Sequence, residues 1–144
     1  MKELVAHASI DVEASPARVW DALTDPHLIH RYMFGTTVVS SWIVGDPIVW
    51  KGEWKGKSYE DHGYLLRLDH GRLLEYNHFS PLSGKPDLPE NYHTVTVELE
   101  GKGSTTHVTL SQDRNESEEA RQHSEDNWKQ MLEGLKRVVE EESA

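Results

Sequence analysis

The spacing of apolar positions changes twice along the chain and divides it into three regimes. Leu4, Ala6, Ala8, Ile10 and Val12 alternate with Val5, His7, Ser9, Asp11 and Glu13, which predicts a first strand with one buried face. Ser15-Pro16 then offers an N-cap hydroxyl and a proline at the first helical position, where its missing N–H costs nothing. Val19, Trp20 and Leu23 give that helix an inner face, and Thr24-Asp25-Pro26 ends it and opens a second short helix through about Met33. From Thr37 the period falls to two. Strands are predicted at 37–44, 48–54, 58–68, 72–79, 92–100 and 105–112, with turns at Gly45-Asp46-Pro47, Lys55-Gly56, Asp69-His70-Gly71 and Gly101-Lys102-Gly103. The break at 80–91 is longer and carries Pro81, Gly84, Pro86 and Pro89, and loops of that length are usually functional or mobile.

The last regime is helical. Ser124, Trp128, Met131, Leu132, Leu135, Val138 and Val139 recur at steps of three and four, which predicts a helix over 116–142, about 40 Å long at ~1.5 Å per residue. Asn115 and Glu118 have the spacing of a capping box, with Glu116, Glu118 and Glu119 at the positive end of the helix dipole. Gly134 costs a helix interior ~1 kcal/mol relative to Ala, and its presence predicts close approach to a neighbouring element. One strand, two helices, six strands and a long helix make an α+β domain whose antiparallel sheet offers one face to the last helix. The 144 residues fit one domain, over 1–144.

Composition narrows the partners. A formal net charge of −10 argues against nucleic acid and anionic membrane surfaces, which need clustered Lys and Arg. With no cysteine there is no disulfide framework, thiolate ligand or Cys nucleophile. No stretch approaches ~18 apolar residues and the first residues lack a signal-peptide pattern, so no membrane insertion and a cytoplasmic location are expected.

Strand parity places candidate chemistry. His93 shares a face with Val95, Val97 and Leu99, and His78 with Leu74 and Tyr76. His62 falls with Tyr64, Leu66 and Leu68, and a three-residue turn at 69–71 sets Leu66 opposite Leu74, Tyr64 opposite Tyr76 and His62 opposite His78. A row of inward histidines at the end nearest the long loop is therefore expected, with Trp50 beside it. Such a row suits zinc or acid–base chemistry, or else lines a partly wet cavity. With no short-spaced ligand motif, the cavity reading is preferred and no metal is assigned. Ser124, one turn before Trp128, is a second polar feature on an apolar surface. A ligand cavity would then have apolar walls from Tyr64, Tyr76, Val95, Trp128, Met131 and Leu135, polar anchors from His78 and His93, with Trp50, His62 and Ser124 also among the ligand-binding residues, and the 80–91 loop as a movable rim. There is no Gly-x-Ser-x-Gly, phosphate-cradling Gly loop or His-Glu-x-x-His, so no catalytic residue and no cofactor is assigned.

Several segments carry a family resemblance. Residues 14–26, Ala-Ser-Pro-Ala-Arg-Val-Trp-Asp-Ala-Leu-Thr-Asp-Pro, resemble the opening of the START-like SRPBCC superfamily. Residues 41–47, 52–54 and 76–84 are similar to its branch of activator of heat-shock protein 90 ATPase homologues, and residues 89–93 and 127–135 continue the likeness. The resemblance implies a helix-grip fold of the START or birch-pollen-allergen type, a seven-stranded antiparallel sheet curled around a long C-terminal helix with a cavity between them. Superfamily relatives bind lipids, hormones, polyketides or flavonoids, and a few catalyse cyclisation or dehydration. The co-chaperone that names the branch carries a further N-terminal chaperone-binding domain, for which these residues hold no counterpart. Three readings follow. The first is a binding protein for a small hydrophobic molecule, aromatic or lipid-like. The second is an enzyme of polyketide cyclase or dehydratase type using the inward histidines, and the third is a co-chaperone-like module with a chaperone partner.

Overall fold

The computed structural model describes residues 4–54 and 56–143; Lys55 of the expected Lys55-Gly56 turn lies outside them. Strand β1 (Ala6–Val12) is followed by helices α1 (Pro16–Thr24) and α2 (Pro26–Tyr32). Strands β2 (Thr37–Ser40), β3 (Pro47–Trp54), β4 (Lys57–Asp69), β5 (Leu73–His78), β6 (His93–Lys102) and β7 (Thr105–Gln112) come next, and α3 (Glu118–Ser143) ends the chain. The strands form one antiparallel sheet in the order β1-β7-β6-β5-β4-β3-β2. This curved sheet, closed on one long C-terminal helix, is the helix-grip fold.

Local chemistry sets the helix starts. Ser15 Oγ accepts from Arg18 N, and Asp25 Oδ1 accepts from His27 N at 2.9 Å, each just ahead of a proline that opens the helix. At α3 the expected cap is corrected. Ser117, not Asn115, caps the helix, its Oγ accepting from Ala120 N at 3.0 Å. Asn115 is instead buried, and its amide donates to Leu4 O and Gln112 O, both at 3.0 Å.

Leu132, Leu135, Val138 and Val139 of α3 join Val95, Val97, Val108 and Leu110 of the sheet in one core, which α1 and α2 close with Val19, Trp20, Leu23, Ile29 and Tyr32. Burying such side chains is worth ~1.5–3 kcal/mol each and supplies most of the drive to this arrangement. Helix α3 rests on β1, where Ala6 and Ala8 keep the strand surface low. Its polar edge also serves β1: Glu125 Oε2 accepts from His7 N and Glu140 Oε2 from Glu13 N, both at 3.0 Å, and Lys136 Nζ donates to Asp11 O.

Two strand expectations are corrected. Strand β2 stops at Ser40 rather than running to 44, because Trp42 takes a left-handed conformation (φ 58°) with its N–H held by Ser40 Oγ. In β4 the register breaks between Leu65 and Arg67. Leu65 pairs with Tyr76 but Leu68 with Leu74, so Leu66 is an extra residue that opposes nothing. The bulge swaps faces. Leu65 is buried, while Tyr64 and Leu66 are 45% and 36% exposed on the outer side with His62.

Candidate functional site

The inner parity of each strand, read outward from the core, builds one wall. On β3 it is Ile48, Trp50 and Gly52; on β4, Tyr59, Asp61, Gly63 and Leu65; on β5, Leu74, Tyr76 and His78; on β6, His93, Val95 and Val97. Where these strands run past the packed core they line a cavity of about 530 Å³, covered by the 80–91 loop and the N-terminal half of α3. A second hollow of about 430 Å³ shares Met33, Thr36, Tyr59, Asp61, Ser80, Gln112, Ser124 and Trp128 with it, and extends towards Phe34, Asn127 and Met131. Deeper still, only about 30 Å³ is left among Trp50, Tyr76, Trp128 and Met131, so the floor is close-packed.

Of the residues singled out in the sequence, Trp50, Tyr76, His78, His93, Val95, Ser124 and Trp128 line the main cavity. Met131 lines the adjoining hollow. Leu135 is fully buried in the core and lines none of these spaces. His62 and Tyr64 do not face the cavity. They are carried to the outer side with the even-numbered residues of β4, so the three-histidine row is reduced to the neighbours His78 and His93, which pair directly. The zinc alternative loses its third histidine in the same step.

The wall's polar groups are paired in a particular way. His78 Nε2 donates to Asp61 Oδ2 at 2.9 Å, while Asp61 Oδ1 is buried and has no hydrogen-bond partner among the described residues. His93 Nδ1 lies 2.9 Å from Asp113 O, a carbonyl that only accepts, so Nδ1 carries the proton and Nε2 is the acceptor. Trp128 Nε1 donates to Gln112 Oε1 at 2.6 Å and Ser124 Oγ to Asn115 Oδ1 at 2.9 Å. Thr36 and Tyr59 share a hydrogen bond of 2.6 Å, Tyr59 lying across Gly52 where a side chain would block it. Burial pushes the Tyr76 phenol well above its usual range, so it stays a neutral part of the wall.

At the rim, Asp87 of the loop bridges to the outer face. Its Oδ1 accepts from Tyr92 OH at 2.6 Å and its Oδ2 meets His62 Nε2 at 2.9 Å. The Tyr92 phenol, and then His62, hold the Asp87 carboxyl below the usual carboxylate range. Lys85 pairs with Glu116, and Arg114 Nη1 donates to Pro89 O at 2.8 Å, tying the loop to the link before α3.

Sequence reasoning missed Asp61, Thr36, Tyr59, Gln112 and Asn115. Asp61 had a signal. It shares parity with Tyr59 and Gly63, and would have been an inward acid had β4 been placed on the correct face.

A curved antiparallel sheet gripping a terminal helix, with a cavity under a long loop, defines a START-like domain. The chain belongs to the family described as Activator of Hsp90 ATPase homolog 1-like protein, matched over residues 13–140. Among solved structures, ChR145 from Cytophaga hutchinsonii is 53% identical, with all of both chains covered and a TM-score of 0.86. The Aha1 dimer from Colwellia psychrerythraea is 19% identical, with 94% of this chain and 95% of that chain covered and a TM-score of 0.73. DynU16, described as a putative protein in the dynemicin biosynthetic locus, is 15% identical, with 96% of this chain and 48% of that chain covered and a TM-score of 0.79. No curated protein matches the chain.

Proposed function

We propose that this chain is a binding protein for a small, largely apolar and aromatic molecule held between the sheet and α3. The observation that carries the proposal is the cavity of about 530 Å³, walled by Trp50, Tyr59, Tyr76, Tyr92 and Trp128. Ligand pockets commonly enclose ~300–1,000 Å³ with apolar and aromatic walls and a few convergent polar groups. The position of DynU16 in a biosynthetic locus agrees with a fold that handles organic small molecules. Native mass spectrometry of purified protein tests it, followed by a chemical-shift screen with flavonoids, polyketide-like aromatics and fatty acids. Compounds that bind should shift Tyr76, His78, His93, Trp128 and the 80–91 loop together, and a screen in which none does so overturns the proposal.

A second reading has its own observation. The edge strand β2 and the hairpin after it expose Val39, Ile43 and Val44, and the preceding link exposes Phe34. Apolar exposure of this kind suits a protein partner, a chaperone among them. Replacing Ile43 and Val44 by Ser would abolish such an interaction and leave small-molecule binding intact.

A further inference from the structure

One acceptor in the polar part of the cavity wall lacks a donor among the described residues. Asp61 stands opposite Trp50 across β3 and β4, with 17% of its side chain exposed. An ionised carboxylate accepts only, through about four lone-pair sites, and a buried site left unanswered costs the group its lost hydration. Asp61 receives one bond, from His78, and its Oδ1 receives none among the described residues. In the neutral rings, Asp61 keeps the His78 proton on Nε2 and leaves Nδ1 as acceptor, just as Asp113 O leaves Nε2 of His93. Among the donors nearby, the Trp128 indole is used on Gln112 and the Ser124 hydroxyl on Asn115, while Thr36 and Tyr59 share one hydrogen bond and so keep one hydroxyl proton between them.

Resting on the reading of this cavity as a ligand site, we propose that Asp61, oriented by His78, is an acceptor anchor that selects aromatic ligands bearing a phenolic hydroxyl. The indole and phenol walls favour a flat ring. A phenol O–H is a strong neutral donor, and a hydrogen bond to an ionised acceptor is short and stronger than a neutral pair. An ammonium group is the poorer fit at this atom, because His78 already donates to the carboxylate. Oδ1 is shut off from solvent, so the carboxylate meets the hydroxyl by turning about Cβ–Cγ or by adjustment of the side chains beside it.

The test is calorimetric titration of the full chain with 2-naphthol, 2-methoxynaphthalene and 2-naphthylmethylammonium. We expect 2-naphthol to bind at least about tenfold tighter than its methyl ether, the effect of one hydrogen bond to a charged group. Asp61→Asn is the matched variant. Its amide oxygen still accepts from His78, which puts NH2 where Oδ1 was, so the preference for naphthol over the ether should vanish or reverse. Equal binding of naphthol and ether to the unaltered protein overturns the anchor and leaves the cavity reading standing. Tightest binding by the ammonium compound also overturns it, in favour of a cation site. Binding by none of the three overturns the anchor, and the cavity reading falls with it only if the wider screen of flavonoids, polyketide-like aromatics and fatty acids is also empty.

Discussion

Gly134 of α3 lies against Tyr32 of α2 so closely that a Cβ added at Gly134 would sit 3.2 Å from Tyr32 Cβ and 3.5 Å from its carbonyl oxygen. Tyr32 has no freedom to retreat, because it is buried and its hydroxyl donates to Ala22 O at 2.8 Å. Two effects compete in Gly134→Ala. The helix gains ~1 kcal/mol of propensity, and the crowded contact costs ~1–3 kcal/mol. Since the nearest atoms are backbone and Cβ rather than a flexible side-chain end, crowding should win. We expect a net loss of about 1 kcal/mol in urea titration; a variant stabilised by that amount would show that the seam has slack.

A tighter demand falls on Gly63. An added Cβ would lie 1.8 Å from Asn77 O, which no side-chain movement relieves. Here β4 and β5 leave regular pairing: Tyr64 N donates to the Asn77 side chain at 2.7 Å, and His62 and Phe79 exchange backbone bonds just beyond. This irregularity brings Asp61 and His78 within hydrogen-bond reach. Gly63→Ala should therefore destabilise by about 3 kcal/mol or more and perturb the His78 ring resonances in whatever protein folds. Native-like stability in denaturant would contradict this account.

Much of this architecture was legible because burial imposes period two on strands and 3.6 on helices. His78 and His93 were placed correctly on that basis, as were Trp128 and the close approach at Gly134. The failure at His62 and Tyr64 has a definite cause. In Tyr64-Leu65-Leu66-Arg67-Leu68 apolar residues occupy both parities, so the pattern cannot say which faces inward, and one bulged residue reverses every face on one side of it. The cap misread at Asn115 is of another kind. Its spacing to Glu118 fits a box, but its amide meets more partners at Gln112, Ser124 and Leu4, the last of them 111 residues away in sequence.

The seam between α3 and β1 should be sensitive to acid. The backbone N–H of His7, with Arg121, holds Glu125 below its usual pKa; Lys136, with the backbone N–H of Glu13, does the same for Glu140. A carboxyl with a depressed folded pKa contributes stability that is complete above its unfolded value of ~4.3 and is lost as pH falls from there through the folded value. Urea titrations at pH 6, 4 and 3 should show stability declining across that window. The decline should be shallower in a Glu125→Gln, Glu140→Gln double variant, which keeps an acceptor for each backbone N–H but cannot titrate. Identical pH profiles would place the acid sensitivity elsewhere.

The 80–91 loop is tied down where it crosses the rim, and Asp87 is a tie that does not itself line the cavity. It receives the hydroxyl of Tyr92, which lines the cavity at its rim, and meets His62 on the outer side of the sheet, whereas His78, His93 and Asp61 stand on the inner side. Asp87 is exposed, and contacts of exposed charges contribute little to global stability, so Asp87→Ala should move Tm by no more than about 3 °C. Local opening is a different quantity, governed by the few bonds that hold the segment rather than by the whole core. With Asp87 removed, the loop keeps Arg114 on Pro89 O and Lys85 on Glu116 but loses its side-chain bonds to Tyr92 and His62. Amide exchange across 80–91 should accelerate severalfold while β6 and α3 stay protected, and any bound aromatic probe should dissociate faster with little change in its contacts. If exchange in the loop is unchanged and only Tm falls, Asp87 is part of the fold's general support rather than the fastening of a rim.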